Sequence, residues 1–86
     1  MASFEIEVTR TAERQIRKLS KQEQVRVLRA ILDLSKDSRP RGCRKLKGFA
    51  DVYRIRVGTC RVLYCIEENR LLIIILKIGK RKDVYR

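Results

Sequence analysis

The chain has 86 residues and a net charge of +12, from 22 Lys and Arg against 10 Asp and Glu, with no histidine. That length predicts one domain, residues 1–86, with a modest core, and a hydrophobic fraction of 44% argues against wholesale disorder. No charged-then-apolar leader pattern opens the chain and no apolar run reaches bilayer length, so a soluble, cytoplasmic protein without membrane contact is expected.

In chain order, Phe4, Ile6 and Val8 alternate with Ser3, Glu5 and Glu7, the period of a half-buried first strand. Thr9 or Thr11 can cap a short helix that turns Ile16 and Leu19 inward. Ser20-Lys21-Gln22-Glu23 matches a capping box, so a second helix starts there. Val25, Leu28, Ile31, Leu32 and Leu34 recur at helical spacing along it, to about Lys36. The two helices adjoin in sequence and are expected to form an antiparallel hairpin. Asp37–Gly42 is a breaker-rich loop.

Three strands follow, at about Val52–Val57, Cys60–Glu67 and Leu71–Ile78, with two-residue turns expected at Gly58-Thr59 and Glu68-Asn69. Leu71–Leu76 is apolar at every position, as in a strand covered on both faces and flanked on both sides. The N-terminal strand is the natural second neighbour. The expected architecture is α+β, in the order β-α-α-β-β-β. A helical hairpin packs on one face of a twisted, mainly antiparallel four-stranded sheet.

A two-residue turn at Gly58-Thr59 places Val57 opposite Cys60, Arg56 opposite Arg61, Arg54 opposite Leu63 and Tyr53 opposite Tyr64. Tyr53, Ile55, Val57, Cys60, Val62 and Tyr64 then share one face, and Arg54, Arg56 and Arg61 the other. Like charges directly opposite are destabilising, by about 0.2–1 kcal/mol. A solvated outer face accommodates single arginines; three clustered ones suit an anion, because guanidinium forks match phosphate oxygens.

The charge is uneven. Residues 1–38 hold 8 basic and 6 acidic side chains, net +2, whereas residues 39–86 hold 14 and 4, net +10. A polyanionic partner, most often nucleic acid, is the expectation. The alternative is a merely solvated basic surface. Cys43, Cys60 and Cys65 are odd in number and lack C-x-x-C spacing, so neutral thiols are expected rather than disulfides. Without histidine or a carboxylate cluster, no metal site and no cofactor is expected.

KLKG at Lys45–Gly48, YRIRVGTCRVLY at Tyr53–Tyr64, the apolar strand and IGKRKDVY at Ile78–Tyr85 together resemble the RelE/ParE superfamily of bacterial toxins, on its RelE side. The resemblance covers nearly the whole chain. It implies a toxin of a type II toxin–antitoxin system, a ribosome-dependent endoribonuclease that cleaves mRNA in the decoding site. It also implies inhibition by a cognate antitoxin, expected to be acidic and able to form a hetero-oligomer with the toxin. Residue by residue, it implies a catalytic set of Arg54, Arg56, Arg61, Arg81 and Tyr85. It assigns RNA binding to Lys45 and Lys47, with Lys80 and Lys82 in the basic tail. Some members carry lysines where Arg54 and Arg56 stand, and many carry histidine at the position of Lys80.

The chemistry this implies is attack of the RNA 2′-OH on the adjacent phosphate, with departure of the 5′-oxygen. The products are a 2′,3′-cyclic phosphate and a 5′-OH, and no metal is called for. Arginine is a poor base, since its pKa exceeds about 12. Tyr85 is left as proton acceptor, provided neighbouring cations lower its ordinary value of about 10. Arg56 and Arg61 are assigned to the phosphate, Arg81 to the leaving oxygen and Arg54 to their support. Tyr85 also has a plain alternative as a packing aromatic. Two other classes remain: a non-catalytic RNA- or DNA-binding module, and a ParE-like poison of DNA gyrase.

Overall fold

A computed structural model of the chain describes residues 3–80. The expectations placed on Arg81, Lys82 and Tyr85 lie outside the described residues. Within them the order is β1 (Glu5–Val8), α1 (Arg10–Arg17), α2 (Lys21–Leu34), β2 (Arg44–Lys45), β3 (Val52–Val57), β4 (Cys60–Glu67) and β5 (Leu72–Lys80).

The helices start where their caps dictate. Thr9 Oγ1 accepts from the Ala12 N–H at 3.1 Å and donates to the Leu76 carbonyl at 3.0 Å, tying the start of α1 to β5. Ser20 and Glu23 form the full capping box at the start of α2. The side of α2 that meets the sheet differs from the expected stripe. Val27, Ile31 and Leu34 are buried, whereas Val25, Leu28 and Leu32 are 56%, 45% and 66% exposed. Two apolar stripes overlap on this helix, and the pattern of apolar residues does not say which one faces inward. In the structure the stripe containing Val27, Ile31 and Leu34 meets the sheet.

The strand order is β1-β5-β4-β3-β2, so the sheet has five described strands, not the expected four. The added strand, β2, is two charged residues long and has no alternation to reveal it. β1 pairs with β5 in parallel, with Glu5 opposite Leu72 and Val8 opposite Ile75. The other pairings are antiparallel. β5 therefore has a neighbour on each side, which explains its apolar run. The β4–β5 link is not a two-residue turn. A 3-10 turn at Glu68–Arg70 leads into Leu71, which adopts the left-handed conformation (φ 49°) and is 42% exposed. Leu71 thus belongs to the turn rather than to the strand.

The core lies between the helices and the sheet. It is built from Ala12, Ile16, Val27, Ile31 and Leu34 on the helices and from Ile55, Cys60, Val62, Tyr64, Ile66, Ile73, Ile75 and Ile78 on the strands. Burying each large aliphatic side chain there contributes about 1.5–3 kcal/mol relative to exposure. Tyr64 is the largest fully buried side chain. Its hydroxyl donates to the Ser38 carbonyl at 2.8 Å, so its one polar atom is satisfied. Tyr53 stacks on it from the facing position, with ring centroids 6.0 Å apart. Arg39 caps that pair, 5.0 Å above the Tyr53 ring, and pairs with Glu68 at 2.7 Å.

Candidate nucleic-acid interface

The β3–β4 hairpin has the register that a two-residue turn imposes. Val57 faces Cys60, Arg56 faces Arg61, Arg54 faces Leu63 and Tyr53 faces Tyr64. Gly58 opens the turn at φ 61°, a backbone conformation that favours glycine. Arg26 of α2 lies beside it, its guanidinium 3.5 Å from where a Cβ would stand.

Ile55, Cys60, Val62 and Tyr64 pack under the helices. Arg54, Arg56 and Arg61 therefore share the opposite face, Arg56 exposed and the other two half-buried. β2 extends this array, because Arg44 stands directly opposite Arg54. Residues so paired hold their Cβ atoms about 4.5–5.5 Å apart. Four arginines are thus arranged as two facing like-charge pairs on adjacent strands. Arg44 was not among the expected site residues. In the sequence it is one of several cations in RGCRKLKG, residues 41–48, with no turn to set its register.

A bulge alters the far end of the array. In β5, Leu63 faces Lys77 but Tyr64 faces Ile75, so Leu76 is an extra residue. One inserted residue reverses the side taken by everything beyond it. Lys77 and Gly79 consequently lie on the arginine side, opposite Leu63 and Arg61, while Ile78 and Lys80 lie on the helix side, opposite Val62 and Cys60. The Ile78 N–H at this point donates to Gln15 Oε1 of α1 at 2.6 Å.

The structure thus brings Arg54, Arg56 and Arg61 together and leaves Lys45 and Lys80 on the other side of the sheet. Lys45 faces Tyr53 and takes the other side of the sheet. Lys47 is exposed just beyond β2. Lys80 pairs with Glu23 at the start of α2 and donates to Thr59 Oγ1 at 3.2 Å. The Thr59 hydroxyl also donates to Glu23 Oε2 at 3.3 Å. Glu23 therefore joins the α2 cap, the β3–β4 turn and the end of β5. Hydrogen bonding from Lys80, then from the Ser20 N–H, lowers its carboxyl from 4.5 to about 2, and the same contact raises Lys80.

Glu23 strengthens the fold fully above its unfolded value of 4.5, and that contribution is lost as pH falls toward about 2. In a carboxyl-resolved NMR titration Glu23 is expected to protonate near about 2. In a Lys80→Ala variant its midpoint should move up toward 4.5. An ordinary midpoint in the parent protein would show that the pair does not form.

Tyr64 is no acid–base candidate: burial pushes its phenol well above the ordinary range. Burial likewise raises the thiols of Cys60 and Cys65, and all three cysteines are free.

The chain belongs to the RelE/ParE family of toxins: the model for the ParE toxin of type II toxin–antitoxin systems matches residues 6–85. It is 31% identical over 88 residues to toxin RelG of Mycobacterium tuberculosis, covering 96% of this chain and 97% of that protein. Among solved structures it is similar to the toxin–antitoxin complex RelBE2 of Mycobacterium tuberculosis, at 28% identity and TM-score 0.82, covering 93% of this chain and 100% of that one. It is also similar to the archaeal RelE–RelB complex of Pyrococcus horikoshii OT3, at 26% identity and TM-score 0.83, covering 95% and 99%.

Proposed function

We propose that this toxin acts as a single domain, residues 1–86, and cleaves messenger RNA in the ribosomal decoding site. The observation that carries the reading is the facing pair Arg56 and Arg61, flanked by Arg54 on the uncovered side of the sheet. Guanidinium groups so placed grip two oxygens of a phosphate and stabilise the charge that develops when the 2′-OH attacks it. Tyr85 takes the 2′ proton and Arg81 attends the departing 5′-oxygen. Lys47 and Lys82 hold the RNA outside the reacting phosphate, while Lys45 and Lys80, on the helix side of the sheet, add to the positive field around it.

A cognate acidic antitoxin opposes this activity. Two lines support that part: relatives of this chain were solved as toxin–antitoxin complexes, and a charge of +12 calls for complementary carboxylates. No described helix is long and apolar enough to cross a membrane, which is compatible with action in the cytoplasm.

A second reading, poisoning of DNA gyrase, is favoured by the ParE description of the matching family model. Brief induction decides between the two, with RNA 5′ ends and ribosome positions mapped together and DNA integrity followed in parallel. Cleavage inside ribosome-bound codons, leaving 2′,3′-cyclic phosphate ends, is the expected result. DNA breaks with intact mRNA would establish the second reading instead.

A further inference from the structure

We propose that Arg41 and Arg44 form, with Arg54, a second phosphate subsite, which holds the RNA phosphate next to the one gripped by Arg56 and Arg61. The inference rests on the ribonuclease reading and extends it to two residues outside the catalytic set.

The starting point is a break in the edge of the sheet. β2 pairs with β3 only at Arg44–Arg54 and Lys45–Tyr53, reinforced by the Leu46 N–H donating to the Val52 carbonyl at 2.9 Å. The chain before β2 then turns away. The Cys43 N–H is taken by the Pro40 carbonyl at 3.0 Å, and Gly42 sits at φ 90°. The far half of β3 is left without a neighbour on that side, and a groove of about 490 Å³ opens there. Arg41, Arg44, Arg54 and Arg56 line it together with Ile55 and Val57 of the helix-side face and Ala30 and Asp33 of α2, so the groove runs around the open edge of β3.

The electrostatics of this groove are uncompensated. Among the described residues, no carboxylate pairs with Arg41, Arg44, Arg54 or Arg56. Asp33 lines the groove without reaching any of them. Arg44 and Arg54 face each other across adjacent strands, as Arg56 and Arg61 do. Each like-charge pair is unfavourable on its own, and an anion between the two members reverses the sign. The two pairs are offset along β3 by two residues, about 6.6–6.8 Å. They therefore suit two anionic groups on one flexible chain rather than a single ion. The planar guanidinium fork favours phosphate, and Asp33 offers an acceptor for base or sugar donors.

Binding is measured by anisotropy with labelled 2′-O-methyl RNA, which lacks the attacking hydroxyl, as a dinucleotide with one phosphate and a tetranucleotide with three. In the Arg41→Ala/Arg44→Ala protein, the tetranucleotide is expected to bind about tenfold more weakly, with the dinucleotide unaffected. The salt slope should flatten by about 0.7 for each phosphate no longer neutralised. With cleavable RNA, KM should rise while kcat stays level, as for binding shared by ground and transition states. An Arg10→Ala/Arg14→Ala protein, equal in charge and altered on α1, should behave as the parent.

Equal weakening by both double variants would overturn the proposal in favour of a general field effect. An unchanged tetranucleotide affinity would also overturn it, as would tighter binding of poly-glutamate than of the tetranucleotide, the mark of a protein partner. Because Arg44 has an unfavourable neighbour, its removal should not lower the melting midpoint, so a folding defect is separable. A parent protein that binds the tetranucleotide in this graded way but leaves cleavable RNA intact on ribosomes would refute the nuclease reading while upholding the subsite.

Discussion

An Arg56→Ala protein is expected to cleave ribosome-bound RNA about 10²–10³-fold more slowly, the usual loss when one donor to a developing oxyanion is removed. Its melting midpoint should stay level or rise slightly. Arg56 is exposed, has no acidic partner among the described residues and faces Arg61, so the substitution removes a repulsion rather than a support. Opposite signs for activity and stability are what distinguish a residue kept for chemistry from one kept for folding. Arg56→Lys should recover only part of the rate, since an ammonium keeps the charge but not the bidentate fork. Single-turnover cleavage read beside calorimetry tests this directly. Cleavage at the parental rate by Arg56→Ala would remove the facing pair from the mechanism.

The largest stability effect should come from Ile73→Ala. Ile73 is completely buried, in a strand paired on both sides, facing Ile6 of β1 and Ile66 of β4. Truncating a large aliphatic side chain in such a place costs about 2–5 kcal/mol, part for lost transfer energy and part for the cavity. A domain of this size has roughly 4–13 kcal/mol in total. The melting midpoint should therefore fall by at least about 8 °C, at about 4–8 °C per kcal/mol. Exposed Leu32 on α2 supplies the contrast: Leu32→Ala should shift it by little. Thermal melts of the two variants check both statements, and equal losses would mean that the wrong stripe of α2 has been placed inside.

The parts of the fold that could be read from the residues are those where a local rule has no competitor. A two-residue turn at Gly58-Thr59 leaves one register, so the sharing of a face by Arg54, Arg56 and Arg61 followed without coordinates. The capping box of Ser20 and Glu23 marked the start of α2 for the same reason. An apolar strand needs two neighbours, and β1 was the segment available. Legibility ended where two rules overlapped or where a feature is a single residue long. The two apolar stripes of α2 satisfy one periodicity. β2 is too short to show any pattern, so nothing in the sequence marks the register that sets Arg44 opposite Arg54. The bulge at Leu76 has no sequence mark, yet it alone sends Lys80 to Glu23 and the helix side. Alternation without the bulge puts Lys80 with the arginines.

The parallel pairing of Glu5–Val8 with Leu72–Ile75 also governs how the molecule is made. During synthesis the first strand emerges early and has nothing to pair with until nearly the whole chain has been translated. Closing so long a loop delays folding, because its entropy is lost before any contact compensates. The polypeptide thus stays immature through most of its own translation. On the nuclease reading proposed above, this delay keeps a nascent chain from acting on the ribosome that is building it.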